Sequence, residues 1–346
     1  MKRKLSAILL SLVMILSVSC VSSIPEDWNG KSTETTAETS ATSAVTTTPS
    51  QPKSEITPLL WRVTSPEGNS IYMFGSIHAA TMDIYPLPNY ITECFYNSEY
   101  LAVEADIVAF EKNSQAQIDV VYKFMYDDGR TIEDVLDLDV IDEMLDILGD
   151  SDGDYSVMAR MYSQYKMFKP AMWSDAISGV TAEKAGLSYD DGLDRFFLEA
   201  AKKQGSGIEI LEVESVEFQL EMMLSFSDEL WQVVIEESLD MEKGVEGLLE
   251  LYEAWKNGDE KALAEHREAD FSEVAPEEFE YYQKLHDEYI TAMLTNRDIG
   301  MAEVAKSYMA DGLNVFYVVG AAHLVGENSV IDLLRRDGYT IELVSP

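Results

Sequence analysis

The chain has 346 residues, 25 Lys and Arg against 63 Asp and Glu, and two cysteines. A net charge of -38 repels polyanions at every approach, so nucleic acid and an anionic membrane face are excluded as electrostatic partners. A hydrophobic fraction of 46% can bury a core, and the length predicts one large domain with appendages.

The first appendage is an export signal over residues 1–20. Lys2, Arg3 and Lys4 precede an apolar run over 5–18, too short to span a bilayer permanently but suited to an export signal. It leads into Leu16-Ser17-Val18-Ser19-Cys20, which resembles a bacterial lipobox, where the cysteine is lipidated and becomes the new N-terminus. Ser17 stands where leucine is commonest, and ordinary secretion is the alternative. Lipid on Cys20 leaves Cys94 without an intramolecular partner, so packing rather than a disulfide must supply stability. Residues 21–57 read as a tether, because twelve of the twenty residues over 31–50 are Ser or Thr and little is apolar. The folded domain is expected over 58–346, lipid-anchored on the extracytoplasmic side of the cell membrane.

In chain order, brief apolar runs that are β-branched or aromatic predict strands over 70–74 and 100–103. Helical periodicity follows over 132–148 and 193–203, then a strand over 207–211, helices over 245–255 and 292–309, and strands over 314–319 and 340–344. The predicted class is α+β, a mixed central sheet of short strands flanked by helices and long helical insertions. The Asp- and Glu-rich stretch 131–149 reads as a solvated helix face. The run Gly149-Asp150-Ser151-Asp152-Gly153-Asp154 invites a calcium reading. An EF-hand loop opening at Asp150 would need glycine where Tyr155 stands and a bidentate glutamate where Met161 stands, so the run is an acidic turn.

Two of the four histidines share a setting. Phe74-Gly75-Ser76-Ile77-His78 and Val319-Gly320-Ala321-Ala322-His323 each present a strand, a glycine that lets the backbone turn, two small or apolar residues and an imidazole. Ligand sites collect at the carboxyl ends of strands, so two such strands can bring both imidazoles to one crevice. The other two strands run into carboxylates, Glu104 and Asp106 after Val103, and Glu212 and Glu214 after Leu211. A carboxylate at a buried strand end needs a cation, a donor or a metal. Two neutral imidazoles and a carboxylate are a divalent-metal set that leaves a position open for water, whose pKa the metal lowers towards ~7. The competing reading of Glu104 is a structural salt bridge to Arg297. His266 and His286 lie in Glu-rich helical surroundings and are assigned to the surface. No H-E-x-x-H, G-x-S-x-G, P-loop or G-x-G-x-x-G motif occurs. Cys94, in Glu93-Cys94-Phe95-Tyr96, reads as a partly buried packing residue.

From about Leu59 to Val344 the chain resembles the TraB/GumN family, which includes the bacterial TraB/PrgY pheromone-shutdown proteins and the animal TIKI metalloproteases. The resemblance rests on Gly75-Ser76-Ile77-His78, Val103-Glu104-Ala105-Asp106, Gly192-Leu193-Asp194, Ile210-Leu211-Glu212 with Gln219, Asn296-Arg297, and Val319 through Gly326. It implies an EreA/ChaN-like fold and a metal-dependent hydrolase, a peptidase acting on a peptide or a small ester or amide. Manganese or cobalt is the cofactor so implied, with zinc an alternative. By that likeness His78, His323 and Glu104 form the catalytic or metal-binding set, Gly75 and Gly320 are motif glycines, and Arg297 is an oxyanion or substrate-carboxylate partner. Glu212 and Asp106 stand behind them. Some relatives carry C-terminal transmembrane helices, whereas this sequence closes on a predicted strand. The rival function is a non-catalytic lipoprotein that binds a peptide or haem in the same crevice.

Overall fold

The computed structural model describes residues 56–151, 153–272 and 274–345, so the export signal, Cys20 and residues 21–55 of the tether lie outside it. Its centre is a six-stranded sheet of β1 (Leu60–Thr64), β2 (Ser70–Ser76), β3 (Tyr100–Val103), β4 (Glu209–Glu212), β5 (Val315–Gly320) and β6 (Thr340–Leu343). The order is β4-β3-β5-β2-β1-β6. The first four strands of that order are parallel, while β1 is antiparallel to both β2 and β6. The class is the mixed α+β one expected.

Strand β5 carries Val315-Phe316-Tyr317-Val318-Val319, all fully buried, as befits a central parallel strand covered on both faces. Strand β1 went unpredicted. Its signal is nonetheless present, since Leu60-Trp61-Arg62-Val63-Thr64 meets β2 through Ser65-Pro66-Glu67-Gly68-Asn69, a hairpin connection with Gly68 at φ 98°.

Two hydrophobic clusters hold the molecule. One lies on the sheet, where Phe197 packs 5.5 Å from Phe74 and 5.1 Å from Phe316, ring centre to ring centre. The other is helical and gathers Trp173, Ile177, Leu220, Val234, Tyr289 and Met293. The acidic stretch behaves as read: helix Leu138–Gly149 buries Val140, Ile141, Met144 and Leu148 and exposes Asp139, Asp142, Glu143 and Asp146. It starts later than predicted, because a separate 3-10 turn, Ile132–Asp134, capped by Thr131, precedes it. Among the described residues no helix is long and apolar enough to cross a membrane.

Two structural expectations are corrected. His286 is not a surface residue: both ring nitrogens are buried without a hydrogen bond among the described residues, and the ring packs edge-on against Phe271. His266 is half-buried, and burial lowers the pKa of both imidazoles. Cys94 is half-buried as read, and burial pushes its thiol pKa up, away from nucleophilic use.

Candidate functional site

Strands β3, β5 and β2 are neighbours, and their parallel ends deliver Glu104, His323 and His78 to one edge of the sheet. Val103 lies opposite Val318, and Ser76 opposite Gly320, so the three loops leave the sheet almost level. This is the carboxyl edge where open sheets place ligands.

Each histidine is held by a carboxylate at Nδ1. The His78 Nδ1 lies 2.9 Å from Asp194 Oδ2, and Asp194 Oδ1 accepts from the Ser76 hydroxyl at 2.9 Å. Asp194 opens the helix Leu193–Lys202, whose first amide, Leu193 N–H, donates to the Ile77 carbonyl at 3.0 Å. The helix approaches so closely that a Cβ on Gly192 would sit 2.0 Å from the His78 carbonyl oxygen. His323 Nδ1 lies 2.6 Å from Asp298 Oδ1, and the other oxygen of Asp298 accepts from Arg267 at 2.8 Å. Arg267 also donates to the carbonyls of Ala322 and Val325, so one guanidinium fixes both the orienting aspartate and the His323 loop. With Nδ1 engaged in this way, Nε2 is left to face a ligand.

The two pairs differ in countercharge. Asp298 shares its charge with Arg267, whereas Asp194 is met by the Ser76 hydroxyl and His78 itself. Burial disfavours the His78 imidazolium, but Asp194, with help from Glu104, outweighs burial and raises its pKa to about 9. The imidazolium form of His78 is therefore favoured at neutral pH.

Glu104 is buried and fully engaged. Its Oε1 accepts from the Gly320 amide at 2.7 Å, and its Oε2 accepts from Arg297 at 2.5 Å and Gln219 at 3.0 Å. Burial alone would raise its pKa, yet Arg297 and the two imidazoles bring it down to about 2. Arg297 is 3% exposed and forks onto Glu214 as well as Glu104. The structural salt bridge weighed against catalysis for Glu104 is present. Arg297 nonetheless lines the cavity beside the two histidines, and its bonds to the two carboxylates run through Nε and Nη2. A π turn, Thr291–Thr295, immediately precedes the helix Asn296–Ala310 that carries both Arg297 and Asp298.

Glu212 and Asp106 belong to a different contact. Glu212 accepts from the Asp106 amide, while Asp106 caps the helix Ile107–Glu111 and pairs with Lys202. The motif glycines also act otherwise than expected. Neither Gly75 nor Gly320 has a positive φ. A Cβ on Gly75 would lie 3.0 Å from Ala321 Cα, so this glycine lets the His323 turn pack on β2. At Gly320 a Cβ would stand 3.4 Å from Glu104 Oε1, 3.6 Å from the His323 ring and 3.9 Å from His78 Nε2. Gly320 marks the corner where the three side chains converge.

The donor types at this corner are those of a divalent-metal site, but the arrangement does not fit one. Both oxygens of Glu104 are already taken, by Arg297 and Gln219 on one side and the Gly320 amide on the other. Among the described residues no group of three or more His, Cys, Asp or Glu side chains is arranged to hold a metal. Above the corner lies a cavity of about 60 Å³, roofed by Leu248, Leu251, Tyr252 and Trp255 of the helix Met241–Asn257.

Sequence reasoning missed Asp298 and Arg267 altogether and quoted Asp194 only as part of a motif. Asp298 adjoins Arg297 in the chain. Nothing local signals Arg267, which reaches the site from a separate segment.

These features define an α+β protein with a paired-histidine crevice at the carboxyl edge of its parallel strands. The chain belongs to the TraB/PrgY/gumN family, whose profile matches residues 59–343. It is 24% identical over 273 residues to a protein of Escherichia coli (strain K12) called "Uncharacterized protein YbaP", covering 79% of this chain and 90% of that one. The protein of the same description from Shigella flexneri matches to the same extent. No solved structure gives a significant match.

Proposed function

We propose that this protein captures a peptide or a comparable amide ligand in the crevice, with His78 and His323 as the groups that meet it. One observation carries the reading: both imidazoles are fixed at Nδ1 and line one cavity, whereas Glu104 is bonded to Arg297. With Nδ1 of each ring held by a carboxylate, the two Nε2 atoms meet the polar atoms of the ligand's amide. Affinity selection from a defined library of N-acetylated tripeptide amides tests the reading. Retention by the wild type and its loss in both His78→Ala and His323→Ala supports it, and undiminished retention by either variant refutes it.

Hydrolysis is the second reading, favoured by the convergence of the histidines and Glu104 at Gly320. Family membership accommodates hydrolytic and binding functions alike. Here the histidine pair would act as acid and base on the bound amide, and cleavage products in the same library, detected by mass spectrometry, would establish it. Its metal-dependent, TIKI-like form, with His78, His323 and Glu104 holding manganese, cobalt or zinc, requires Glu104 to leave Arg297. Elemental analysis of protein purified without chelator decides that form. The likeness to EreA and ChaN folds, the export signal and the lipid on Cys20 belong to the same proposal.

A further inference from the structure

Two hydrogen bonds fasten the roof helix Met241–Asn257 on either side of His78. Trp255 Nε1 donates to the Gly75 carbonyl at 2.8 Å, and the Tyr252 hydroxyl lies 2.7 Å from Thr81 Oγ1. The two rings are stacked at 9°, and Lys256 caps the Tyr252 face at 4.7 Å. Trp255 is 1% exposed and Leu263, on the helix Glu260–Glu265, 2% exposed, so the roof is supported from behind and cannot yield cheaply. Its height over His78 is therefore fixed. The wall it presents is made of leucines: Leu248 and Leu251 from the roof, Leu263 beside it and Leu187 opposite. The cavity of about 60 Å³ has room for roughly four to six waters at ~10–15 Å³ each.

We infer that the crevice selects a branched aliphatic residue of leucine size next to the amide held by His78 and His323, and that Leu248, Leu251 and Leu263 determine this preference. The inference rests on the amide-capture reading and names its ligand class. An aliphatic side chain packs against Leu248, Leu251 and Leu263, a carboxylate loses hydration against the same leucines, and an indole is too large for a roof tied at both Gly75 and Thr81.

Titration calorimetry with N-acetyl-leucinamide, N-acetyl-aspartamide and N-acetyl-tryptophanamide as probes tests this on the full mature chain. The leucine probe should bind at least ~10-fold more tightly than either other. Leu248→Ala should narrow or reverse the gap between leucine and tryptophan probes, and Leu251→Asn should weaken the leucine probe while sparing the aspartate one. Circular dichroism establishes that each variant is folded, and the ranking of the wild type alone decides the matter if one is not. Equal affinity for the three probes, preference for the aspartate probe, or no binding of the leucine probe overturns the inference. Histidine-dependent retention of library peptides lacking aliphatic residues would overturn it while leaving amide capture standing. Loss of all histidine-dependent retention would remove amide capture itself.

Discussion

At the scale of single residues, the strongest coupling is Glu104 with Arg297. Removing the negative charge by Glu104→Gln leaves a buried guanidinium with Glu214 as its remaining carboxylate partner, and breaking such a pair costs about 3 kcal/mol. Urea unfolding should show that loss even if ligand binding is unmeasurable. The same carboxyl sets an acid limit. Its folded pKa, about 2, lies below that of an unfolded glutamate, so its contribution is complete above about 4.5 and lost as pH falls towards 2. His78 works in the opposite direction. Its folded pKa of about 9 exceeds the unfolded value of 6.5, so the stabilisation is complete below 6.5 and disappears as pH rises to about 9. Unfolding midpoints measured between pH 6 and 10 should fall for the wild type and fall less for Asp194→Asn. The pairing of Gly-x-x-His motifs made these histidines legible in the sequence. Their orienting partners were not, because Asp298 and Arg267 reach His323 only through contacts between segments distant in the chain.

At the scale of elements, the helix Leu193–Lys202 and the helix Asn296–Ala310 hold the imidazoles. Gly192→Ala places a methyl where the His78 carbonyl stands, so the helix must retreat. The expected cost is about 2 kcal/mol, and the His78 imidazole resonances should shift as its contact with Asp194 lengthens. The π turn is a register device. Inserting one alanine after Thr295, beyond the residue the wide turn already absorbs, would turn the following helix by about 100° and carry Arg297 and Asp298 off Glu104 and His323 together. A lowered unfolding midpoint accompanied by loss of both contacts is the expected result, and an unchanged midpoint would refute the register role. Neither device could be foreseen from periodicity, since one extra residue in a turn leaves the apolar pattern readable as continuous helix over 292–309.

At the scale of the whole molecule, the chain docks on the fold slightly earlier than the expected start at Pro58. Thr57 donates its amide to the Lys256 carbonyl at 2.7 Å, and a Cβ on Gly258 would strike the Thr57 carbonyl. A chain beginning at Ile56 should therefore unfold at the same midpoint as the mature protein. One beginning at Pro58 should lose about 1 kcal/mol, measured by thermal melting. Cys20→Ala should move the protein from the membrane fraction to the soluble one in a bacterial host, and continued sedimentation with membranes would count against a lipid anchor.

The sequence by itself determined the mixed class, five of the six strands, the acidic outer helix and the paired histidines, because period, composition and local motif are properties of neighbouring residues. It also narrowed Glu104 to two readings, a ligand or half of a salt bridge. Only the tertiary structure shows that the salt bridge is formed. The insertion of β5 between β3 and β2 brings Glu104, His323 and His78 to one corner, while a helix almost two hundred positions further along the chain supplies the guanidinium that occupies Glu104. Charge pairing across such separations depends on where the backbone folds back, and that is fixed by packing of the whole core rather than by any stretch of the chain.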